Sequence, residues 1–312
     1  MAVEGLVSVA LEVPDLAPGV KFYTDAGLEV VQTGPVTRLA CPGGLHPAVE
    51  LVGGAGRKRL HHVHLRCPAE HWDAITARAI GLGGAVVAAP DGFAGPALWL
   101  EDPHGMRLRL SEAQAEPPLP PVVSPFSINQ PGRTVRTRRS AILPMSTYRP
   151  VTPLRLGHVM VFTPDVDRSI AFFTQVLGMG LADHAQDVVA FMCCRRNSDH
   201  HVVAFAKSPG VGFHHASFQV GDPDEVGRAG RALLERTGRG DWGFGRHTIG
   251  SNFFHYIQDP WGSWFEYYSD MDFIDDYALW TPTNYEMEDS LANWAPALPG
   301  DFVHNYEVDA AA

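Results

Sequence analysis

The chain has 312 residues, 45% of them hydrophobic and 19% charged, with a formal net charge of −11. That length allows two domains with cores of their own, and the composition is that of an ordinary globular protein. The acidic balance argues against a nucleic-acid partner, whose phosphates call for a basic surface, and no apolar run nears the roughly 18 residues of a membrane span.

The first 16 residues, MAVEGLVSVALEVPDL, carry acidic side chains and no basic leader, so they read as a strand rather than a signal peptide. A Pro-Asp turn then opens a helix, and short strands follow. LHHVHLRC (60–67) begins a second unit that closes on DPHGMRLRLSEA (102–113). Residues 113–152, with EPPLPPVVSPFSINQPG, read as a proline-rich linker or surface strap. The basic run RTVRTRRS (133–140) within them reads as a solvated or internally paired patch.

From 153 onward the same order returns. Alternation in HVMVF marks a strand, and Pro164-Asp165 opens a helix with Val166, Ile170, Phe173 and Leu177 on one face, ended by Gly178. VVAFMCC (188–194) and HVVAFA (201–206) read as strands. HHASFQV is a strand, PDEVGRAGRALLERTG a helix, and FFHYIQD and SWFEYYS a strand pair joined at PWG. Pro14, Asp15 and Phe22 match Pro164, Asp165 and Phe172 at an offset of 150. His62 matches His215 at 153, and Asp102-Pro103 matches Asp259-Pro260 at 157. An offset that grows slowly is the mark of a duplicated domain with small loop insertions. The expected fold is therefore α+β: four βαβββ modules paired into two similar domains, 1–112 and 153–312.

Candidate chemistry sits in the second copy. Alternation along a strand puts His158 on a face with Met160 and Phe162, His215 with Ser217 and Gln219, and Glu266 with Trp264 and Tyr268. His214 is expected to point the other way. A carboxylate inside the aromatic run WFEYY is costly to bury unpaired. Two imidazoles and one carboxylate suit an octahedral Fe(II) or Mn(II) with one face open, which removes that cost. The matching residues of the first copy are Ser8, His62 and Arg109, a set that cannot hold the same ion. Cys41, Cys67, Cys193 and Cys194 form no CxxC pattern and read as free thiols of a reducing cytoplasm.

The order His158, His215, Glu266 on βαβββ modules resembles the vicinal oxygen chelate superfamily. More narrowly it resembles the type I extradiol catechol dioxygenases of two-domain kind, like 2,3-dihydroxybiphenyl 1,2-dioxygenase. The resemblance covers essentially the whole chain and is strongest over 156–270. LGHV, NSDHHVVAF, FHHASFQV, GRHT and HYIQDPWGSWFEY are its blocks. It implies that His158, His215 and Glu266 bind Fe(II), less often Mn(II), and that the first domain lacks a metal. It implies that His201 lies beside the O2 site, with His200 turned away. His247 would lie near the substrate oxygens, and Tyr256 would hydrogen-bond a catechol oxygen, with His255 pointing outward.

The resemblance further implies a small catechol-type substrate, O2 as co-substrate, a yellow ring-opened product and a homo-oligomer. Phe253, Phe254, Trp264 and Phe302 are available to line a pocket, and the segment from Asp272 to Glu307 resembles a strap that packs over the site. A glyoxalase- or epimerase-like lyase or isomerase of the same superfamily is the alternative enzyme, but its further glutamate ligand has no counterpart on HVVAFA. A non-catalytic protein that binds an aromatic ligand is the other alternative.

Overall fold

The computed structural model describes residues 3–117 and 149–308. Most of the proline-rich segment, and the basic run within it, lie outside the described residues. The first sheet has eight strands: β1 (Gly5–Val13), β2 (Glu29–Gln32), β3 (Val36–Ala40), β4 (Val49–Gly53), β5 (Arg59–Arg66), β6 (Ala85–Val86), β7 (Leu98–Glu101) and β8 (Arg107–Ser111). Their order in the sheet is β2-β3-β4-β1-β5-β8-β7-β6. Helix α1 (Leu16–Asp25) follows β1, and α2 (Trp72–Gly81) follows β5.

The second half repeats this with β9 (Arg155–Thr163), α3 (Val166–Gln175), β10 (Gly180–Ala185), β11 (Val189–Cys193), β12 (Arg196–Asp199), β13 (Val203–Lys207), β14 (Gly212–Gln219), α4 (Pro223–Thr237), β15 (Asp241–His247), β16 (Phe253–Gln258) and β17 (Trp264–Ser269). The C-terminal segment adds β18 (Phe273–Asp276), which pairs with β12, and β19 (Ala292–Trp294), which extends the sheet beyond β15. The large sheet runs β10-β11-β13-β9-β14-β17-β16-β15-β19. Four βαβββ modules in two similar halves are thus present, as the repeat predicts.

Local chemistry explains the repeated start of each helix. Asp15, Asp165 and Asp222 accept hydrogen bonds from Ala17, Arg168 and Glu225 backbone N–H groups, respectively. Each side chain satisfies a donor that the first helical turn leaves open. Gly238, at φ +60°, closes α4 in a left-handed conformation that a β-carbon disfavours. The halves share one apolar core. Phe22 and Tyr23 of α1 pack edge-on or tilted against Phe265 of β17, and the Tyr267 hydroxyl donates to the Ala26 carbonyl at 2.8 Å.

Two expectations need correcting. The strand predicted from His201 starts at Val203, so His200 and His201 stand in irregular backbone ahead of it. His214 does not alternate away from His215. Between β9 and β14 the register steps from Phe213 directly to His215, leaving His214 as the extra residue of a bulge. The first half carries the same step at His61, between Leu60 and His62.

Candidate active site

Strand pairing assembles one row of side chains across four neighbouring strands. His158 on β9 faces Ser217 on β14, Ser217 faces Glu266 on β17, and Glu266 faces Tyr256 on β16. His215 lies two residues before Ser217, on the same face. Neighbouring strands hold opposed β-carbons only about 5 Å apart, so residues distant in sequence converge here. One ligand atom from each of His158, His215 and Glu266 lies within 4.8 Å of the others, and all three residues are buried.

Glu266 is fully buried. Its Oε1 accepts from Asn252 Nδ2 at 3.1 Å, and His247 Nε2 stands 3.7 Å away. Its Oε2 lies 3.1 Å from His158 Nε2 and 3.6 Å from His215 Nε2. Yet among the described residues neither Glu266 Oε2 nor His215 Nε2 has a hydrogen-bond partner. Burial alone would raise the Glu266 carboxyl, but His158, His247 and His215 around it hold it well below the usual carboxylate range. An anionic oxygen and an imidazole nitrogen, both orphaned and aimed at one point, are a donor set for a cation. Two imidazoles and a carboxylate on one face suit Fe(II) or Mn(II) with positions left open.

His214 Nδ1 meets His215 Nδ1 at 2.7 Å, so one of the two imidazoles carries its proton on that nitrogen. With the proton on His215 Nδ1, the Nε2 lone pair faces Glu266, the arrangement a metal ligand needs.

These groups open on a cavity of about 340 Å³. His158, His201, His215, His247 and Tyr256 line its polar end. Burial pushes the His201 imidazole well below its ordinary range, and the nearby histidines push the same way. His247 Nδ1 meets the Leu291 carbonyl at 2.6 Å, so it carries the proton there. Its Nε2 accepts from the Tyr256 hydroxyl at 2.9 Å. Burial and the Glu266 charge keep the Tyr256 phenol protonated, its pKa raised well above the ordinary value.

His201 faces the cavity, while His200 turns to Asp183. His255 turns outward to Asp241 and packs on Gly230 of α4, where a β-carbon would fall 2.1 Å from the ring. Of the four aromatics proposed as lining, Phe302 reaches the cavity. Phe254 and Trp264 pack behind it with Trp242 and Tyr256, and Phe253 stacks on Phe244.

The sequence reading missed Asn252, His214 and the apolar mouth formed by Met287, Leu298 and Val303. Asn252 was within reach of it, because it precedes Phe254 and Tyr256 at strand spacing. The segment after Asp272 does cover the cavity. It is anchored by β19 and by Glu307, which pairs with Lys58 of the first half at 3.1 Å.

Residues 155–267 match the model of the Glyoxalase/Bleomycin resistance protein/Dioxygenase superfamily, and residues 8–111 match that of a glyoxalase-like domain. The chain is 35% identical to metapyrocatechase 2 of Cupriavidus necator over 98% of its own length and 93% of that protein. Among solved structures it resembles a substrate complex of homoprotocatechuate 2,3-dioxygenase from Brevibacterium fuscum, at 23% identity, TM-score 0.75, covering 96% of this chain and 91% of the other. It also resembles an Mn(II)-bound glyoxalase from Novosphingobium aromaticivorans, at 24% identity, TM-score 0.74, covering 94% and 91%.

Proposed function

The chain belongs to the Glyoxalase/Bleomycin resistance protein/Dioxygenase superfamily, among its extradiol ring-cleaving dioxygenases, and from that premise we propose that it opens a catechol bearing an apolar substituent. It does so with O2 at an Fe(II) ion, Mn(II) being the second choice, held by His158, His215 and Glu266 of a metal-binding domain spanning 153–312. Residues 1–112 form a domain without a metal. The observation that carries this reading is the pair of orphaned, buried atoms, Glu266 Oε2 and His215 Nε2, at the polar end of a ligand-sized cavity.

When bound, the metal supplies Lewis acidity toward the catechol hydroxyls and one-electron chemistry toward O2. The chain's own residues do the rest. Tyr256 and His247 form a donor–acceptor pair at the cavity wall. A substrate oxygen that takes over the phenol's hydrogen bond breaks the Tyr256–His247 contact and frees His247 Nε2 to take a substrate proton. His201, neutral because of its burial, takes up and returns a proton on the side of the cavity by His158. The C-terminal segment excludes water.

The cavity wall also supports the choice of ring substituent. Beyond the polar end it is built from Phe191, Ile249, Leu291, Leu298, Phe302 and Val303. Among its described lining residues the only Lys or Arg is Lys207, which is exposed and paired with Asp187. A carboxylate on the ring would be buried without a counter-charge, at a cost of several kcal/mol. Four free, buried cysteines support a reducing, cytoplasmic setting. Among the described residues no helix is long and apolar enough to cross a membrane.

The test is anaerobic loading with Fe(II), admission of air, and a panel of catechols. Yellow product from alkyl- or aryl-substituted rings, with kcat/KM about 10²-fold or more above that of carboxylated rings, is the expected result. Turnover without O2 consumption would overturn the dioxygenase reading in favour of an isomerase or lyase.

A further inference from the structure

The second half holds two adjacent histidine pairs, each in Nδ1-to-Nδ1 contact. His200–His201 ends on a carboxylate: His200 Nε2 lies 2.8 Å from Asp183 Oδ2, and His200 Nδ1 lies 3.1 Å from His201 Nδ1. His200 is fully buried and Asp183 nearly so. The other carboxylate oxygen, Asp183 Oδ1, accepts from the Thr283 backbone N–H at 2.6 Å. The indole of Trp280 packs edge-on against His200, and the His200 backbone N–H donates to the Asp272 carbonyl at 2.7 Å. Gly250, at φ +81°, passes so close that a β-carbon there would sit 3.4 Å from both His200 Nδ1 and His201 Cε1.

A carboxylate offers only acceptors, so His200 must carry a proton on Nε2. With one proton on each imidazole, His200 Nδ1 is then the acceptor of the Nδ1–Nδ1 contact and His201 its donor. We infer that Asp183 and His200 are positioning residues: they hold His201 with its proton on Nδ1 and leave Nε2 as the free nitrogen of a side chain that lines the cavity. Its use in ring opening rests on the function proposed above. Without the carboxylate, His200 has no reason to prefer Nε2–H, and the direction of the whole chain can reverse. Asp183 lies on β10 and His200 ahead of β13, so the relay links the site to strands and to the C-terminal segment rather than to the metal-holding row.

Asp183→Asn tests this. The amide oxygen can still accept from Thr283, while its NH2 group donates to His200 Nε2. That reverses both hydrogen bonds and moves the His201 proton to Nε2. The tautomer is read by 15N imidazole NMR on protein loaded with diamagnetic Zn(II), with His201→Gln to assign the resonance. The expected spectrum shows Nδ1–H for the unaltered protein and Nε2–H for Asp183→Asn. In the Fe(II) enzyme kcat falls by about 10²-fold or more, the contribution typical of a well-placed acid or base. KM stays within about threefold, metal content is unchanged, and Asp183→Glu recovers part of the loss. An Nε2–H signal in the unaltered protein overturns the inference, as does a folded Asp183→Asn protein with unchanged kcat. Loss of metal in that variant also overturns it, since the role would then be structural. The spectrum is read without turnover, so its failure and that of ring cleavage are separate results.

Discussion

The two halves share a backbone and differ in what stands on it. In the second, the row across the sheet is His158, Ser217, Glu266 and Tyr256. In the first, the same pairings give Ser8, His64, Arg109 and Trp99. Ser217 is small and leaves room in front of the sheet. His64 fills that room and bonds Ser111 at 2.7 Å. Arg109 replaces the carboxylate and lies over the Trp99 ring.

A buried carboxylate of the first half, Glu50, sits on β4 and is taken up by Ser8 at 2.8 Å and Arg38 at 2.7 Å. Phe93, from the connection between β6 and β7, then closes the hollow. It stacks on His61 and meets His62 and Trp99 edge-on. A few row positions and one loop therefore separate a charged, open cavity from a filled core. The histidine pair survives in both: His61 and His62 meet Nδ1 to Nδ1 at 2.7 Å, and His62 Nε2 is still without a partner among the described residues. The local device is retained, but the groups that would complete a metal site are not.

The comparison can be broken most sharply at Glu266. Glu266→Ala should lower ring cleavage by at least about 10⁴-fold, the top of the range for a single proton-transfer group, while circular dichroism shows the fold retained. His62→Ala should leave turnover unchanged. Equal losses from both would show that the first half is no bystander. Next in size, Tyr256→Phe should slow kcat about 10²-fold with metal still bound; an unchanged rate removes Tyr256 from the chemistry.

Phe93→Ala should cost the protein about 3–5 kcal/mol, as deletion of a buried phenyl ring does. It should leave product formation at the other site intact. Denaturant midpoints would show it, and a cost below about 1 kcal/mol would mean that Phe93 is not the plug of the first half.

The last effect is on acid stability. Burial holds His61 at about 4 and His64 at about 3, against about 6.5 in the unfolded chain. Below pH 6.5 the unfolded state binds protons that the folded state refuses. Stability is therefore full above pH 6.5 and falls as pH drops toward 4, by up to about 1.4 kcal/mol per pH unit for each histidine. Tm should fall between pH 7 and 5. Replacing His64 with Gln should flatten that fall, and a Tm insensitive to pH in that window would contradict the burial argument.

Much of this was legible in the sequence because duplication leaves a second copy to align against. Alternation along HVMVF and WFEYY was enough to place His158 and Glu266 on inward faces. It failed at His214, because a bulge adds one residue and alternation cannot count it. At His200 and His201 it put the strand start too early, since both precede β13 in irregular backbone, yet His201 faces the cavity and His200 turns away as expected. Asp183 carried no signal at all. It sits on β10, 17 positions from a partner in irregular backbone, and only the folded chain brings the two together. Phe93 was invisible for the same reason, since a loop residue that plugs a hollow looks like any other loop aromatic. Phe254 and Trp264 were placed on the right strands but lie one layer behind the cavity, a depth that period-2 reasoning does not resolve.

The central claim is that one half holds a metal and the other does not. Elemental analysis of the purified chain after anaerobic loading with Fe(II) and removal of excess tests it directly. The account predicts one ion per chain, lost in Glu266→Ala and kept in His62→Ala. Two ions per chain, none, or one that survives Glu266→Ala would contradict it.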